Sequence, residues 1–264
     1  MNAKLLSSND TKENFKQSLE KIKKICLHNP TKGIERVETF YADCKSHIDI
    51  LQEAEIWLVI GIGHHVGKDY IPSLKFFQKA FQVFEEHAAI ERLIGTQNWM
   101  ALSYKAMENP EKALSLLFNS LQLSQQYGFD LSEYRVYNCL GGVYQSIYNS
   151  QKAIEYFEKA LLLCPPKERA IALSNLASIY SNISNHKKAL TYLKEAYDLR
   201  HVLEDLMSCA YITVNIVITL GELLQYDQVL PKLKELNKIA KELKGTAFIH
   251  LYQNALVHQK INRW

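Results

Sequence analysis

Apolar residues recur along the chain every three or four positions, and short polar segments separate the groups. Near the start, Phe15, Leu19 and Ile22 follow this spacing, and Leu233 and Leu236 do so near the other end. Such spacing places side chains on one face of an α-helix. The pattern continues through the chain without the alternation that marks a strand, and it predicts about thirteen helices of roughly 13–18 residues.

Helix ends are marked by asparagine and proline. Asn109 precedes Pro110, which is the order of a helix N-cap followed by a proline in the first turn. Asn185 is a second candidate cap, and Asn29-Pro30 marks the turn of the first helix pair. Pro165-Pro166 ends a helix because proline cannot continue the hydrogen-bond ladder.

The chain also has a repeat much longer than one helical turn. The clearest unit reads Tyr137-x2-Leu140-Gly141-x2-Tyr144, and Ala153-x3-Phe157, Ala160 and Pro165 follow it. The position of Tyr144 is taken in the other copies by His64, Tyr104, Tyr180 and Leu220, with steps of 40, 40, 36 and 40 residues along the chain. The frame also places small residues at fixed positions: Gly61, Ala101, Gly141, Ala177, Ala113, Ala153 and Ala189.

The small positions have a packing reason. Two helices approach closely there, and a larger side chain would overpack the contact. Large residues such as Leu140, Tyr144 and Phe157 fill the space between one helix pair and the next. No pair buries its apolar face alone, so stability comes from stacking neighbours.

This frame resembles the tetratricopeptide repeat pattern over roughly residues 12–262. The resemblance implies an all-α, right-handed α-α superhelix of about six helix pairs plus a terminal helix. The usual repeat has about 34 residues, so the longer step implies longer helices. It is similar to the long-repeat arrays of bacterial signalling proteins, including GGDEF-type diguanylate cyclases, and of Rap-like peptide-binding regulators. Neither a GGDEF motif nor a helix-turn-helix domain occurs in this sequence.

The frame divides the chain into a polar tail (1–11) and a single array (12–264). Within the array we expect a degenerate first pair (12–50), five repeats (53–245) and an unpaired or truncated last helix (246–264). Ending on half a repeat suggests a longer polypeptide or a docked last helix. The apolar residues Phe248, Leu251, Tyr252 and Leu256 predict a possible homo-oligomer contact through this helix.

In this family the first helix of each repeat lines a concave groove. Residues rotated away from the packing positions are expected there, and they are mostly polar. The predicted groove residues are Asn98, Leu102, Lys105, Arg135, Asn138, Gln145, Ser174, Ser178 and Asn182. Asparagine amides can donate to and accept from a peptide backbone, and Arg135 or Lys105 can meet a carboxylate. The alternative is a helix surface that is polar because it is solvated.

The composition argues against several classes of binding partner. The formal net charge is +3, which lacks the basic footprint of a nucleic-acid or membrane-surface protein. Five widely spaced cysteines favour reduced thiols in a cytoplasmic protein. The polar N-terminus lacks the apolar segment of a signal peptide. The longest apolar stretches, Ile56–Ile62 and Ala210–Leu220, are too short to span a bilayer.

The sequence gives only weak signals for nucleotide binding, metal binding or catalysis. Gly61-Ile62-Gly63 lacks the strand that a phosphate-binding glycine loop requires. His64 and His65 point about 100° apart on a helix, so they share no metal site by spacing; His64 is expected to replace the packing tyrosine, and His65 to lie in the groove or on the surface. No nucleophile motif is present, and no catalytic residue, metal or cofactor is predicted.

These observations favour a cytoplasmic scaffold that binds a protein or peptide. The first hypothesis is the N-terminal sensory region of a larger bacterial signalling protein, such as a GGDEF-type diguanylate cyclase. The alternative is a stand-alone Rap-like regulator that responds to a peptide or acts by binding another protein.

Overall fold

The computed structural model describes residues 8–203 and 205–242, with side chains from residue 13 onward except that of residue 240. This part of the chain consists of helices and contains no strand. The twelve helices are α1 (Ser8–His28), α2 (Pro30–Cys44), α3 (Ile50–Val66), α4 (Tyr70–Glu86), α5 (Ile90–Ala106), α6 (Pro110–Tyr127), α7 (Asp130–Ser146), α8 (Ser150–Leu163), α9 (Arg169–Asn182), α10 (His186–Val202), α11 (Leu206–Glu222) and α12 (Tyr226–Glu242).

The predicted all-α repeat architecture is confirmed, with six helix pairs in the described residues. Helix α1 begins at Ser8, three residues before the predicted end of the polar tail. The predicted last helix, with Phe248, Leu251, Tyr252 and Leu256, lies outside the described residues. The oligomer contact proposed for it therefore stays a prediction.

The chain divides into two compact units between Cys139 and Leu140, within α7. In the N-terminal unit each of the first five helices contacts the next, and α3 also contacts α1 and α5. Residues Phe15, Leu19 and Val37 form a first core cluster with the middle of α3. Farther along, Ala80 and Phe84 pack with Leu93. The core of this unit is thus a series of contacts between neighbouring helices.

The C-terminal unit has one large apolar cluster that runs through α9, α10, α11 and α12. Leu173, Leu193 and Ile216 are almost completely buried in it. Helix α12 contributes Leu233 and Leu236, although Pro231 lies inside this helix.

The two glycines of the repeat frame show why small residues recur. A Cβ atom added at Gly61 would lie 2.5 Å from the Phe77 ring, and one added at Gly141 would lie 2.6 Å from the Phe157 ring. No side chain fits at such distances, so the glycines let each phenylalanine pack against the helix backbone.

Sixteen residues after each small position lies a packing residue, and its size depends on which residue takes the small position. The pairs along the chain are Gly61 with Phe77, Ala101 with Leu117, Gly141 with Phe157, Ala177 with Leu193, and Val217 with Leu233. Glycine pairs with phenylalanine, whereas alanine and valine pair with the smaller leucine. A smaller side chain on the first helix is matched by a larger one on the second, so the two together fill the same space.

His64 replaces the packing tyrosine, as predicted. Its ring stacks on Phe76 at 5.7 Å between centroids. The tyrosines at the same repeat position stack in the same way, since Tyr144 lies 5.4 Å from Tyr156 and Tyr180 lies 5.7 Å from Tyr192.

The turn inside each repeat is a recurring module. Four residues after the tyrosine position the backbone is left-handed, at Lys68, Glu108, Tyr148, Ser184 and Leu224. In three of these turns the next residue is an asparagine that caps the second helix. The predicted caps Asn109 and Asn185 are confirmed because each Oδ1 accepts a backbone N–H three residues on. Asn149 caps α8 in the same way.

In each of these three turns a lysine of the second helix contacts the tyrosine ring of the first. The ammonium groups of Lys112, Lys152 and Lys188 lie 5.3, 5.0 and 4.2 Å from the centroids of the Tyr104, Tyr144 and Tyr180 rings. Each lysine thereby joins the second helix to the first by a cation–π contact. The other predicted boundaries are also confirmed: Asn29 caps α2, and α8 ends at Leu163 before the two prolines.

Candidate functional site

The first helices of the pairs in the N-terminal unit form a surface that contains a cavity of about 320 Å³. Helices α1, α3, α5 and α7 each contribute to it. The lining residues are Lys16, Leu19, Glu20, Lys23, Glu55, Leu58, Val59, Ile62, Glu91, Arg92, Gly95 and Arg135.

This cavity combines apolar walls with charged groups of both signs. The apolar part comes from Leu19, Leu58, Val59 and Ile62, residues whose other faces help to form the core. Two ion pairs lie among the charged residues: Arg92 Nε bonds Glu55, and Lys23 Nζ lies 3.4 Å from Glu20. An apolar wall next to a few charged groups is typical of surfaces that hold a peptide side chain and orient it.

Three lining residues occupy the same repeat position. Glu55, Gly95 and Arg135 follow each other at steps of 40 residues, on α3, α5 and α7. The middle member has no side chain, and a Cβ atom added at Gly95 would meet no heavy atom within 4 Å. The cavity therefore has open space at the centre of this row.

Of the predicted groove residues in the N-terminal unit, Arg135 lines the cavity. Asn98 is buried, with 8% of its surface exposed, and its Oδ1 atom has no hydrogen-bond partner. Asn138 donates to the Tyr134 hydroxyl at 3.1 Å. Leu102 and Lys105 are half-buried, and like Asn98 and Asn138 they do not line the cavity.

His65 occupies the repeat position of Lys105 and is half-buried. Its Nδ1 atom lies 2.9 Å from the Ser103 hydroxyl, and its ring meets the edge of Trp99 at 5.4 Å between centroids. Burial, and next the positive charge of Lys105, lower the pKa of His65 from its ordinary value. The position between α3 and α5 therefore favours the neutral imidazole.

The C-terminal unit carries a second cavity, of about 240 Å³, on α9, α10 and α11. It brings together three predicted groove residues, Ser174, Ser178 and Asn182. Ser181, Asn215 and Thr219 also line it, with Ala177, Leu193 and Ile218 as its apolar part.

None of these lining residues is charged. Ser174 and Thr219 donate their hydroxyl protons to backbone carbonyls of their own helices, at 2.8 and 2.7 Å. The predicted groove residue Gln145 donates to the Ser178 hydroxyl at 3.1 Å. The C-terminal cavity thus presents hydroxyl and amide groups, whereas the N-terminal cavity presents charges.

Sequence reasoning found Arg135 and the serines of α9 because they lie beside packing residues in the repeat frame. It missed Glu55 and Gly95, although both share the repeat position of Arg135. It also missed Asn215 and Thr219, because the copy of the repeat on α11 is weak. Among the described residues there is no cluster of His, Cys, Asp and Glu able to hold a metal ion. No described helix is long and apolar enough to cross a membrane.

Comparison with solved structures finds the same fold elsewhere. A Rap protein in complex with competence and sporulation factor is 16% identical, and the match covers 89% of this chain and 72% of that one at a TM-score of 0.67. A plasmid-encoded Rap conjugation gene regulator in complex with a Phr peptide is 17% identical, with 99% and 78% covered and a TM-score of 0.68.

A third similar structure is a signal-transduction ATPase with a tetratricopeptide repeat sensor from Pyrococcus horikoshii. It is 15% identical, and the match covers 96% of this chain but 39% of that protein, at a TM-score of 0.71. At these identities the likeness shows the fold alone. No curated protein matches the sequence significantly.

The sequence itself matches a tetratricopeptide repeat family over residues 132–201. This segment runs from α7 to α10 and contains the repeat that begins at Tyr137. The left-handed turn residue recurs in the helix pairs before and after it. The match over residues 132–201 and the likeness of fold both support repeats of the tetratricopeptide type in this chain.

Proposed function

We propose that this protein is a scaffold that binds a peptide or protein segment on the first-helix surface of its N-terminal unit. The cavity of about 320 Å³ there is the observation that carries the proposal. Its walls can bury an apolar side chain, and its rim can pair with charged groups on either side.

The charged rim is expected to set specificity more than affinity. Arg92 and Glu55 are already paired, so a ligand gains little by competing for them. Lys16, Glu91 and Arg135 belong to different helices of the same rim. A ligand with charges in the complementary order is attracted, and one with the reverse order is rejected.

The uncharged C-terminal cavity serves, in this proposal, as a separate contact for neutral hydrogen-bonding groups. Serine hydroxyls retain acceptor lone pairs after donating to their own helix. Asn182 and Asn215 add amide groups that both donate and accept.

A regulatory role in the cytoplasm is the second part of the proposal. The fold likeness to two Rap proteins solved with a peptide or factor supports a stand-alone, peptide-responsive regulator. The likeness to a tetratricopeptide repeat sensor within a larger ATPase supports a sensory region that controls another domain, of which a GGDEF-type cyclase is one example. In either case, binding would act by changing the packing between neighbouring repeats.

Selection of a random dodecapeptide library on the full chain tests the binding proposal. The enriched peptides are synthesised with a fluorescent label and titrated by anisotropy against the wild type and an Arg135→Ala/Glu91→Ala variant. We expect the affinity of this variant to fall roughly tenfold, which corresponds to about 1.4 kcal/mol.

The matched control is Lys75→Ala/Glu85→Ala, which removes the same charges from exposed positions on α4. This control should bind as the wild type does. Failure to enrich any peptide, or equal binding by both double variants, would reject the N-terminal cavity as the binding site.

A further inference from the structure

We infer that Gly95 determines which ligands the N-terminal cavity accepts, by leaving room for one apolar side chain of a bound peptide. This inference rests on the proposed function and adds the chemical class of the ligand group. The space at Gly95 is its starting observation.

Gly95 has no packing role in the fold, unlike other helical glycines of this chain. A Cβ atom at Gly33 would lie 2.5 Å from the Cys26 backbone, and one at Gly61 would lie 2.5 Å from the Phe77 ring. At Gly95 no heavy atom lies within 4 Å of that position. A glycine inside a helix destabilises it relative to alanine, so the fold alone would be served better by a larger residue here.

The residues around the space at Gly95 determine which ligand side chain fits there. Leu58, Val59 and Ile62 supply apolar walls, and the row that contains Gly95 is bounded by Glu55 and Arg135. A residue with a side chain at position 95 would fill the space between these two. An apolar side chain of leucine or phenylalanine size gains most from such walls, because it leaves water on entering.

The test fills the space stepwise and measures stability and binding on the same samples. Gly95→Ala and Gly95→Leu are compared with the wild type, and Ala42→Leu adds a leucine at an exposed position of α2 outside the cavity. Melting is followed by circular dichroism. Binding is measured by anisotropy with the labelled dodecapeptides selected on the wild type, and each apolar residue of those peptides is replaced by alanine in turn.

We expect opposite effects on the two measurements. Gly95→Ala should raise the melting temperature by about 2–4 °C, and Gly95→Leu should not lower it. Affinity should fall severalfold for alanine and at least roughly tenfold for leucine, while Ala42→Leu binds normally. One apolar residue of the peptide should account for the loss: its alanine variant should bind the wild type weakly and lose little more on Gly95→Leu.

Two results would overturn the inference. Unchanged peptide affinity in Gly95→Leu would show that the space is not used, even though binding at the cavity stands. Lower melting temperatures for both Gly95 variants would show that the glycine serves the fold. Absence of any selected peptide would instead reject the proposed function, so the two failures are distinguishable.

Discussion

The exchange of volume between Gly141 and Phe157 can be tested by a double-mutant cycle. A Cβ atom at Gly141 would lie 2.6 Å from two carbons of the Phe157 ring, about 1 Å closer than non-bonded carbons prefer. Overpacking of this kind costs about 1–3 kcal/mol. The gain from removing a helical glycine, about 0.5–1 kcal/mol, offsets part of it. Gly141→Ala should therefore destabilise by about 1–2 kcal/mol.

The second single variant, Phe157→Leu, leaves unfilled space because this ring is 2% exposed. It should cost about 1–2 kcal/mol. The double variant recreates the alanine–leucine pair found at Ala101 and Leu117. Its loss should be about 1 kcal/mol or less, well below the sum of the two single losses. The coupling between the sites should be at least about 1 kcal/mol.

Urea denaturation followed by circular dichroism gives the free energies of unfolding. Gly61→Ala combined with Phe157→Leu is the control, since the ring nearest to Gly61 belongs to Phe77. The control pair should be additive to within about 0.5 kcal/mol. Equal additivity for Gly141→Ala/Phe157→Leu would refute the volume exchange.

The remaining predictions concern the turns, one histidine and one lysine. Tyr148 is left-handed at φ +59 and 93% exposed, so Tyr148→Gly should stabilise by about 1 kcal/mol in urea denaturation, whereas Tyr148→Ala should not; equal effects would exclude backbone strain as the cause. The lowered pKa of His65 means that the unfolded chain binds this proton first as pH falls below about 6.5. Wild type should therefore lose more unfolding free energy than His65→Gln between about pH 7.5 and pH 5, and parallel pH profiles would contradict this. Lys152→Met should cost about 0.5–1 kcal/mol through the lost contact with the Tyr144 ring, and an unchanged urea midpoint would show that the contact contributes nothing.

The fold could be predicted from the sequence because the packing residues repeat. Gly141, Ala153 and Phe157 mark contacts that every pair must make, and the copies shift by nearly constant steps. Caps such as Asn109 act on neighbouring backbone atoms, so their signal is local. The same reasoning explains why His64 could be assigned to a tyrosine position.

The cavities were harder to predict because they depend on unfilled space between helices that are far apart in the sequence. Gly95 belongs to no motif in the sequence, and only the structure shows that nothing packs on it. The bond between Arg92 and Glu55 joins residues 37 positions apart, and no short motif records it. Asn98 was predicted in the groove, but its burial and unpaired oxygen depend on the helices around it.

Photo-crosslinking tests the proposed binding surface most directly. A benzophenone amino acid is placed at Glu91, on the rim of the N-terminal cavity, or at Lys75, exposed on α4, and each variant is irradiated with a peptide selected on the wild type. Binding at the first-helix surface predicts a crosslinked product from position 91 that unlabelled peptide suppresses, and little from position 75. A specific product from position 75 with none from position 91 would contradict it.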